Sequence, residues 1–269
     1  MSADSPPPSG AARHLQESLS GDLLLRSPLL GALGVRHGFT TRRGGVSVGR
    51  YASLNLGITW GDEADATTEN LRRVAAAGGF DPADLCTVVQ VHGARVLTVR
   101  APERRAHEAD GLATDVALAL GVLSADCVGL LLADGDGRVA AAHAGWRGTA
   151  AAMGGAAVAA LVALGARADA VRVALGPSIG PCCFEVGEDV AAVFSALVPA
   201  AVLRAPGQAK PHVDLYEVHR VLLQRAGVRP AHIEDRPPCT ACAPERFFSY
   251  RRDGAGIGQH LAFIVGGPR

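Results

Sequence analysis

Gly121-Val-Leu-Ser-Ala-Asp-Cys-Val-Gly-Leu-Leu-Leu-Ala-Asp134 and Val139-Ala-Ala-Ala-His-Ala-Gly-Trp-Arg-Gly148 decide how this chain is read. Two apolar runs flank an Asp-Gly-Asp-Gly turn, which predicts two buried strands joined as a hairpin. Buried strands favour apolar side chains. Here Asp126 and Cys127 interrupt the first run, and His143 stands near the end of the second. A carboxylate, a thiol and an imidazole carried into a sheet point to a metal or a nucleophile.

Outward from this core, strands and helices interleave. Residues 85–91 read as a strand that ends at His92-Gly93, with 95–99 pairing back on it as a hairpin. Residues 35–41, 170–175 and 260–265 read as further strands, and 23–33 as a short strand or helix. The pattern predicts helices over 64–77, 149–164, 188–197 and 214–226, and a surface loop over 199–211. The expectation is a single α/β domain with a mixed sheet over 23–269. Residues 1–22, rich in Ser, Pro, Ala and Gly, read as a flexible tail.

Composition narrows the function classes. The formal net charge is zero, so no basic excess points to nucleic acid or an anionic membrane. No apolar run approaches the ~20 residues that span a bilayer. The N-terminus lacks an apolar signal core, which leaves the cytoplasm as the default location. Lys210 is the sole lysine, which makes Schiff-base chemistry improbable. Six cysteines without a signal peptide favour free thiols or metal ligands over disulfides. Cys239 and Cys242 form a Cys-x-x-Cys, but no second pair at ribbon spacing follows, so structural thiols rank above zinc there.

His92, Cys127 and His143 lie in or at the ends of separate predicted strands. Three N/S ligands on a rigid sheet with a fourth position open is the pattern of catalytic zinc, which brings hydroxide within reach of neutral pH. Asp110 or Asp126 would orient an imidazole from behind. The same residues admit other chemistry: Cys127 as a nucleophile activated by His143, a soft copper site, or a zinc that is only structural.

Eight motifs then carry a resemblance: Thr41-Arg-Arg-Gly-Gly-Val-Ser47, Ser53-Leu-Asn-Leu-Gly57, Gln90-Val-His-Gly93, Ala125-Asp-Cys127, His143-Ala-Gly-Trp-Arg-Gly148, Gly176-Pro-Ser-Ile-Gly-Pro181, Phe184-Glu-Val-Gly187 and Phe248-Ser-Tyr-Arg-Arg-Asp253. In this order, from about residue 35 to 265, they resemble the YfiH-type laccase-domain family. Its members are also called multicopper polyphenol oxidoreductase-like proteins and purine nucleoside phosphorylases. The resemblance implies a three-layer α/β/α domain related to a cysteine-hydrolase toxin fold. It implies one catalytic zinc on His92, Cys127 and His143. It also implies phosphorolysis of adenosine, inosine, guanosine and methylthioadenosine, with deamination of adenosine. Copper-dependent phenol oxidation ranks second, because the chain offers no obvious ligands for further copper clusters.

The partners so implied are purine nucleosides and phosphate, acted on by a monomer or small homo-oligomer. Arg42, in register with the family's glycine loop, is expected to hold phosphate, with Arg147 and Arg251 as further cations. Asn55 is expected to bond ribose or support the loop, and Phe39, Tyr51 or Trp146 to stack on the base. One departure stands out: Gly258-Gln259 replaces the family's usual Gly-Arg before the last strand.

Overall fold

A computed structural model describes residues 14–18, 21–58, 60–205, 207 and 209–267. The run 121–134 is two strands rather than one. Ala119–Ser124 belongs to one sheet and Val128–Ala133 to another. The chain changes sheet at Ala125-Asp126-Cys127, where Asp126 has a φ of 95°. The second strand then forms the expected antiparallel hairpin with Val139–Ala144.

The first sheet has seven strands, in the order Gln16–Ser18, Gly21–Arg26, His37–Thr40, His260–Val265, Ala119–Ser124, Leu85–Val89 and Arg104–Glu108. The second has five, in the order Arg172–Leu175, Val128–Ala133, Val139–Ala144, Gly111–Thr114 and Val96–Thr98. Both are mixed: most neighbours are antiparallel, but Leu85–Val89 pairs parallel with its two neighbours and Val96–Thr98 with Gly111–Thr114. The mixed α/β architecture with helices on both outer faces is as expected. The sheet layer itself is double.

Period-two alternation explains the doubling. Leu131, Ala133, Val139 and Ala141 meet Leu120, Val122 and Ile264 of the other sheet in one buried cluster. The intervening Leu130, Leu132, Ala140 and Ala142 face the opposite way, onto Met153, Ala157, Val158 and Leu161 of helix Met153–Ala163. On the far side, Leu261, Phe263 and Val265 pack with Val74 of helix Ala64–Gly78. Strands buried on both faces read as continuous apolar runs, which is why Gly121 to Ala133 looked like a single strand.

Three other expectations change. Residues 95–99 do not fold back on 85–91; Val96–Thr98 lies in the other sheet. The chain crosses between sheets at His92-Gly93, where His92 has a φ of 61°, and Asp110 holds the crossing by accepting from three successive backbone N–H groups. The helix expected over 149–164 starts earlier and breaks into Trp146–Ala150 and Met153–Ala163 at Ala152, with a φ of 58°. The tail expected over 1–22 lies outside the described residues for 1–13, 19 and 20. Gln16–Ser18 within it is an edge strand, so the fold begins before residue 23. Among the described residues no helix is long and apolar enough to cross a membrane.

Candidate metal centre and active site

The two sheet crossings deliver the site. His92 sits at one, Cys127 at the other, and His143 near the end of the hairpin strand. Their ligand atoms all lie within 4.8 Å of one another. The rings of His92 and His143 meet nearly edge to face, 4.9 Å between centroids. Gly145 makes the approach possible. A Cβ there would stand 2.7 Å from His92 Cδ2 and 3.2 Å from Cys127 Sγ, closer than the ring could bear without moving.

Asp110 is fully buried. Its Oδ1 accepts from His143 Nδ1 at 2.8 Å and from the His92 N–H at 2.9 Å, and its Oδ2 from the Gly93 N–H at 2.6 Å. An ionised carboxylate only accepts, so the proton of that bond sits on His143 Nδ1. The other ring nitrogen is then free for Cys127 or a metal, the orientation ligating histidines commonly show. One carboxylate thus fixes two of the three candidate ligands.

Electrostatics couple the three groups. Burial alone would raise the Cys127 thiol, but hydrogen bonds from His143 and then His92 bring it to about 6. Burial works against a charged His143, yet Asp110 and then Cys127 outweigh it and hold the imidazole up to about 9. A thiolate beside an imidazolium follows, between those values. In metal-stripped protein, alkylation of Cys127 by iodoacetamide, followed by peptide mass spectrometry, should therefore titrate near pH 6. His143→Ala should move the midpoint up towards the ordinary thiol range of ~8.5. An ordinary midpoint in the parent protein would disprove the pairing.

The donor set fits a borderline metal ion. Two imidazoles and a readily ionised thiol are ligands of zinc and also suit copper. They open on a cleft of ≈ 530 Å³, within the range of small-molecule sites. Trp60, Phe184 and Tyr250 supply apolar walls, and Arg105, Arg251 and Gln259 polar ones. Trp60 and Tyr250 lie 6.1 Å apart between ring centroids.

Asp126, beside Cys127, also lines the cleft. Its carboxylate accepts from Thr240 Oγ1 at 2.5 Å, Ser249 Oγ at 3.1 Å and the Arg251 N–H at 2.7 Å. It does not bond either histidine; that task falls to Asp110.

The other expected site residues separate. Arg42 is not among the residues lining the cleft. Its guanidinium donates to the carbonyls of Ala52 and Pro244 and stacks 4.6 Å over Phe248. Asn55 is buried, and its amide donates to Gly57 O and Asp62 while its oxygen accepts from the Gly57 and Gln259 N–H groups. Those four bonds use its full capacity and tie the loop to the last strand. Arg147 folds over its neighbour Trp146, 4.4 Å from the ring, outside the lining. Arg251 does line the cleft, anchored to the carbonyls of Cys183 and Glu185.

Of the three aromatics expected to stack, Trp146 reaches the cleft, Phe39 is core and Tyr51 bonds the Trp60 carbonyl. Sequence reasoning missed Trp60, Tyr250 and Arg105. Tyr250 belongs to the aromatic-arginine motif and was legible as a candidate. Arg105, on an edge strand with a φ of 50°, carried no signal.

The geometry can be set beside known proteins. The model of the family described as multi-copper polyphenol oxidoreductase laccase matches residues 36–266. A Deinococcus radiodurans protein named purine nucleoside phosphorylase is 44% identical over 252 residues, covering 91% of this chain and 93% of its own. A protein named adenosine deaminase RL5, from an unknown prokaryotic organism, is 37% identical over 242 residues, covering 84% of this chain and 91% of its own. The crystal structure of YlmD from Geobacillus stearothermophilus superposes with a TM-score of 0.86 at 35% identity, covering 94% of this chain and 98% of its own. Relatives named for enzymatic activities support an enzyme here. With the fold shared over 94% of the chain and the family model matching residues 36–266, this chain belongs to the multi-copper polyphenol oxidoreductase laccase family, the family of YfiH and YlmD.

Proposed function

We propose that this chain is a zinc-dependent purine nucleoside phosphorylase, acting on adenosine, inosine, guanosine and methylthioadenosine, with a secondary adenosine deaminase activity. The observation that carries the proposal is the gathering of His92, Cys127 and His143 on the wall of a cleft of nucleoside size. The names of the relatives support it.

Bound at those three residues, zinc would supply Lewis acidity inside the cleft. The chain's own groups do the rest. Trp60, Phe184 and Tyr250 take the apolar base and exclude water. Asp110 keeps a proton on His143 Nδ1. Arg105 lines the same cleft, and its guanidinium makes no hydrogen bond or ion pair among the described residues. An unpaired guanidinium suits incoming phosphate, which attacks C1′ of the ribose as the purine leaves. In deamination, water attacks C6 of adenine instead and the 6-amino group leaves as ammonia, in the same cleft.

The test is chromatographic. Zinc-loaded protein incubated with inosine should give hypoxanthine and ribose-1-phosphate only when phosphate is present. Arg105→Ala should raise the KM for phosphate by about tenfold, the loss of one charge-assisted contact, with the KM for inosine little changed. No product in either condition, with zinc confirmed bound, would refute the assignment.

One observation favours a second reading. Cys127, His143 and Asp110 stand in the order nucleophile, base and orienting carboxylate of a cysteine hydrolase. That enzyme would be blocked by thiol alkylation and untouched by chelators.

A further inference from the structure

Four cysteines gather outside the catalytic triad of ligands. The loop 176–186 lies along the segment 237–242, joined by the bridge between Ser178 and Cys239, by Ser178 N to Pro238 O at 3.3 Å, and by Thr240 N to Ser178 O at 3.0 Å. This pairing brings the adjacent Cys182 and Cys183 against the Cys-x-x-Cys pair Cys239 and Cys242. All four sulfurs lie within 4.8 Å of one another.

The spacing is that of ligands rather than disulfides. Cys242 Sγ is 3.4 Å from both Cys182 Sγ and Cys183 Sγ. A disulfide needs ~2.05 Å. A tetrahedron of sulfurs ~2.3 Å from a central zinc has edges of about 3.8 Å, close to what is seen. All four thiols are free. A second feature points the same way. The Gly180 N–H donates to Cys239 Sγ at 3.2 Å, a bond that strengthens when the sulfur is a thiolate. A Cβ on Gly180 would press on this cluster, 3.2 Å from Cys239 Cβ and 3.3 Å from Cys182 Sγ.

We propose that Cys182, Cys183, Cys239 and Cys242 form a second metal site that takes one zinc ion as a closed tetrathiolate. Four protein ligands leave no open position, so this zinc is structural. On binding, the thiols release their protons to solvent and zinc takes up the thiolates. The Cys-x-x-Cys does have a second pair, supplied by vicinal cysteines far upstream and invisible to ribbon spacing.

What the ion would hold is the wall of the active cleft. Ile179 and Phe184 of the loop line it. Thr240, between the two cysteines of the second segment, donates to Asp126, whose neighbour is Cys127. Arg251, also in the wall, bonds the Cys183 carbonyl. The staple therefore positions the backbone on which Cys127 is presented, without touching substrate.

The experiment counts metal in two backgrounds. The variant His92→Ala/Cys127→Ser dismantles the catalytic ligand set and keeps the four cysteines. Purified under reducing conditions with zinc and measured by inductively coupled plasma mass spectrometry, it should retain about one zinc per chain. Reloaded with Co(II), it should show the intense, red-shifted absorption of a tetrathiolate. Adding Cys239→Ser and Cys242→Ser should remove that metal, and the same pair in the parent protein should lower the Tm. The proposal is overturned if the His92→Ala/Cys127→Ser protein, folded by circular dichroism, holds no zinc, or if its intact mass shows the cysteines paired as disulfides. Because the count is made without the catalytic ligands, failure of the nucleoside activity would leave it unaffected.

Discussion

His92→Ala, Cys127→Ala and His143→Ala should each lower kcat/KM for phosphate-dependent cleavage of inosine by on the order of 10³ or more. That is the scale expected when the main electrostatic contributor to a reaction is lost. Each substitution leaves two of the three ligands in the cleft, and two side chains no longer hold the ion firmly. Zinc bound at this site should fall in parallel with activity. The double variant His92→Ala/His143→Ala should be little worse than either single one, since groups that act as a unit are not additive. Steady-state kinetics with metal analysis on the same samples checks all of this. A metal-free cysteine hydrolase would behave differently. Cys127→Ala would be inactive, His92→Ala would keep substantial activity, and neither result would track zinc. Full inosine activity in Cys127→Ala would remove that residue from both mechanisms.

The residues of this centre were legible in the sequence because they are chemically out of place. A thiol next to a carboxylate in an apolar run, and a histidine near the end of another, conflict with burial on both sheet faces. His92 joined them as a candidate because it ends a predicted strand; that the three bind one ion was implied by the eight ordered motifs. The doubled sheet was hidden for a physical reason. Residues 119–133 are apolar on both sides of the crossing, because the two strands are each covered on both faces. Periodicity has nothing to report at Ala125-Asp126-Cys127. The turn is made there by a positive φ at Asp126 and by tertiary bonds to Thr240, Ser249 and Arg251, more than a hundred positions away. The parallel pairing of Val96–Thr98 was obscured in the same way, since the crossing at His92 depends on Asp110. Arg42 shows the limit of a local motif. A paired-arginine glycine loop suggested an anion, but backbone carbonyls of neighbouring loops take up the guanidinium. Cations that reach the cleft come from an edge strand and a one-turn helix, where single arginines look like ordinary surface charge.

Asp110→Asn should be strongly damaging to both stability and zinc binding. The carboxylate is wholly buried and accepts from His143 Nδ1 and from the N–H groups of Val91, His92 and Gly93. An amide cannot replace it, because one of its two ends is a donor that must face another donor. Removing one partner of a buried charge pair costs about 3–5 kcal/mol, so a drop of several degrees in Tm is expected in the metal-free protein. Without the carboxylate, His143 loses the bond that fixes its proton on Nδ1, and zinc affinity should fall by about 10- to 100-fold. The pH dependence has a definite sign. Burial would raise Asp110, but its bonds to His143 and the crossing backbone outweigh that and hold it below the usual carboxylate range. Its contribution is therefore complete above the unfolded value of ~3.9 and is lost as pH falls through the lower folded value. The gap in denaturant midpoint between parent and Asp110→Asn should be wide at neutral pH and close on acidification. Asp126→Asn separates the two carboxylates. It should loosen the wall at Thr240 and Ser249 while leaving the His143 orientation intact, so zinc at the His92, Cys127 and His143 centre should be retained there and weakened in Asp110→Asn. Equal zinc loss from this centre in both variants, counted with Cys239→Ser and Cys242→Ser in the background, would show that it depends on the general stability of the crossings rather than on the bond between Asp110 and His143.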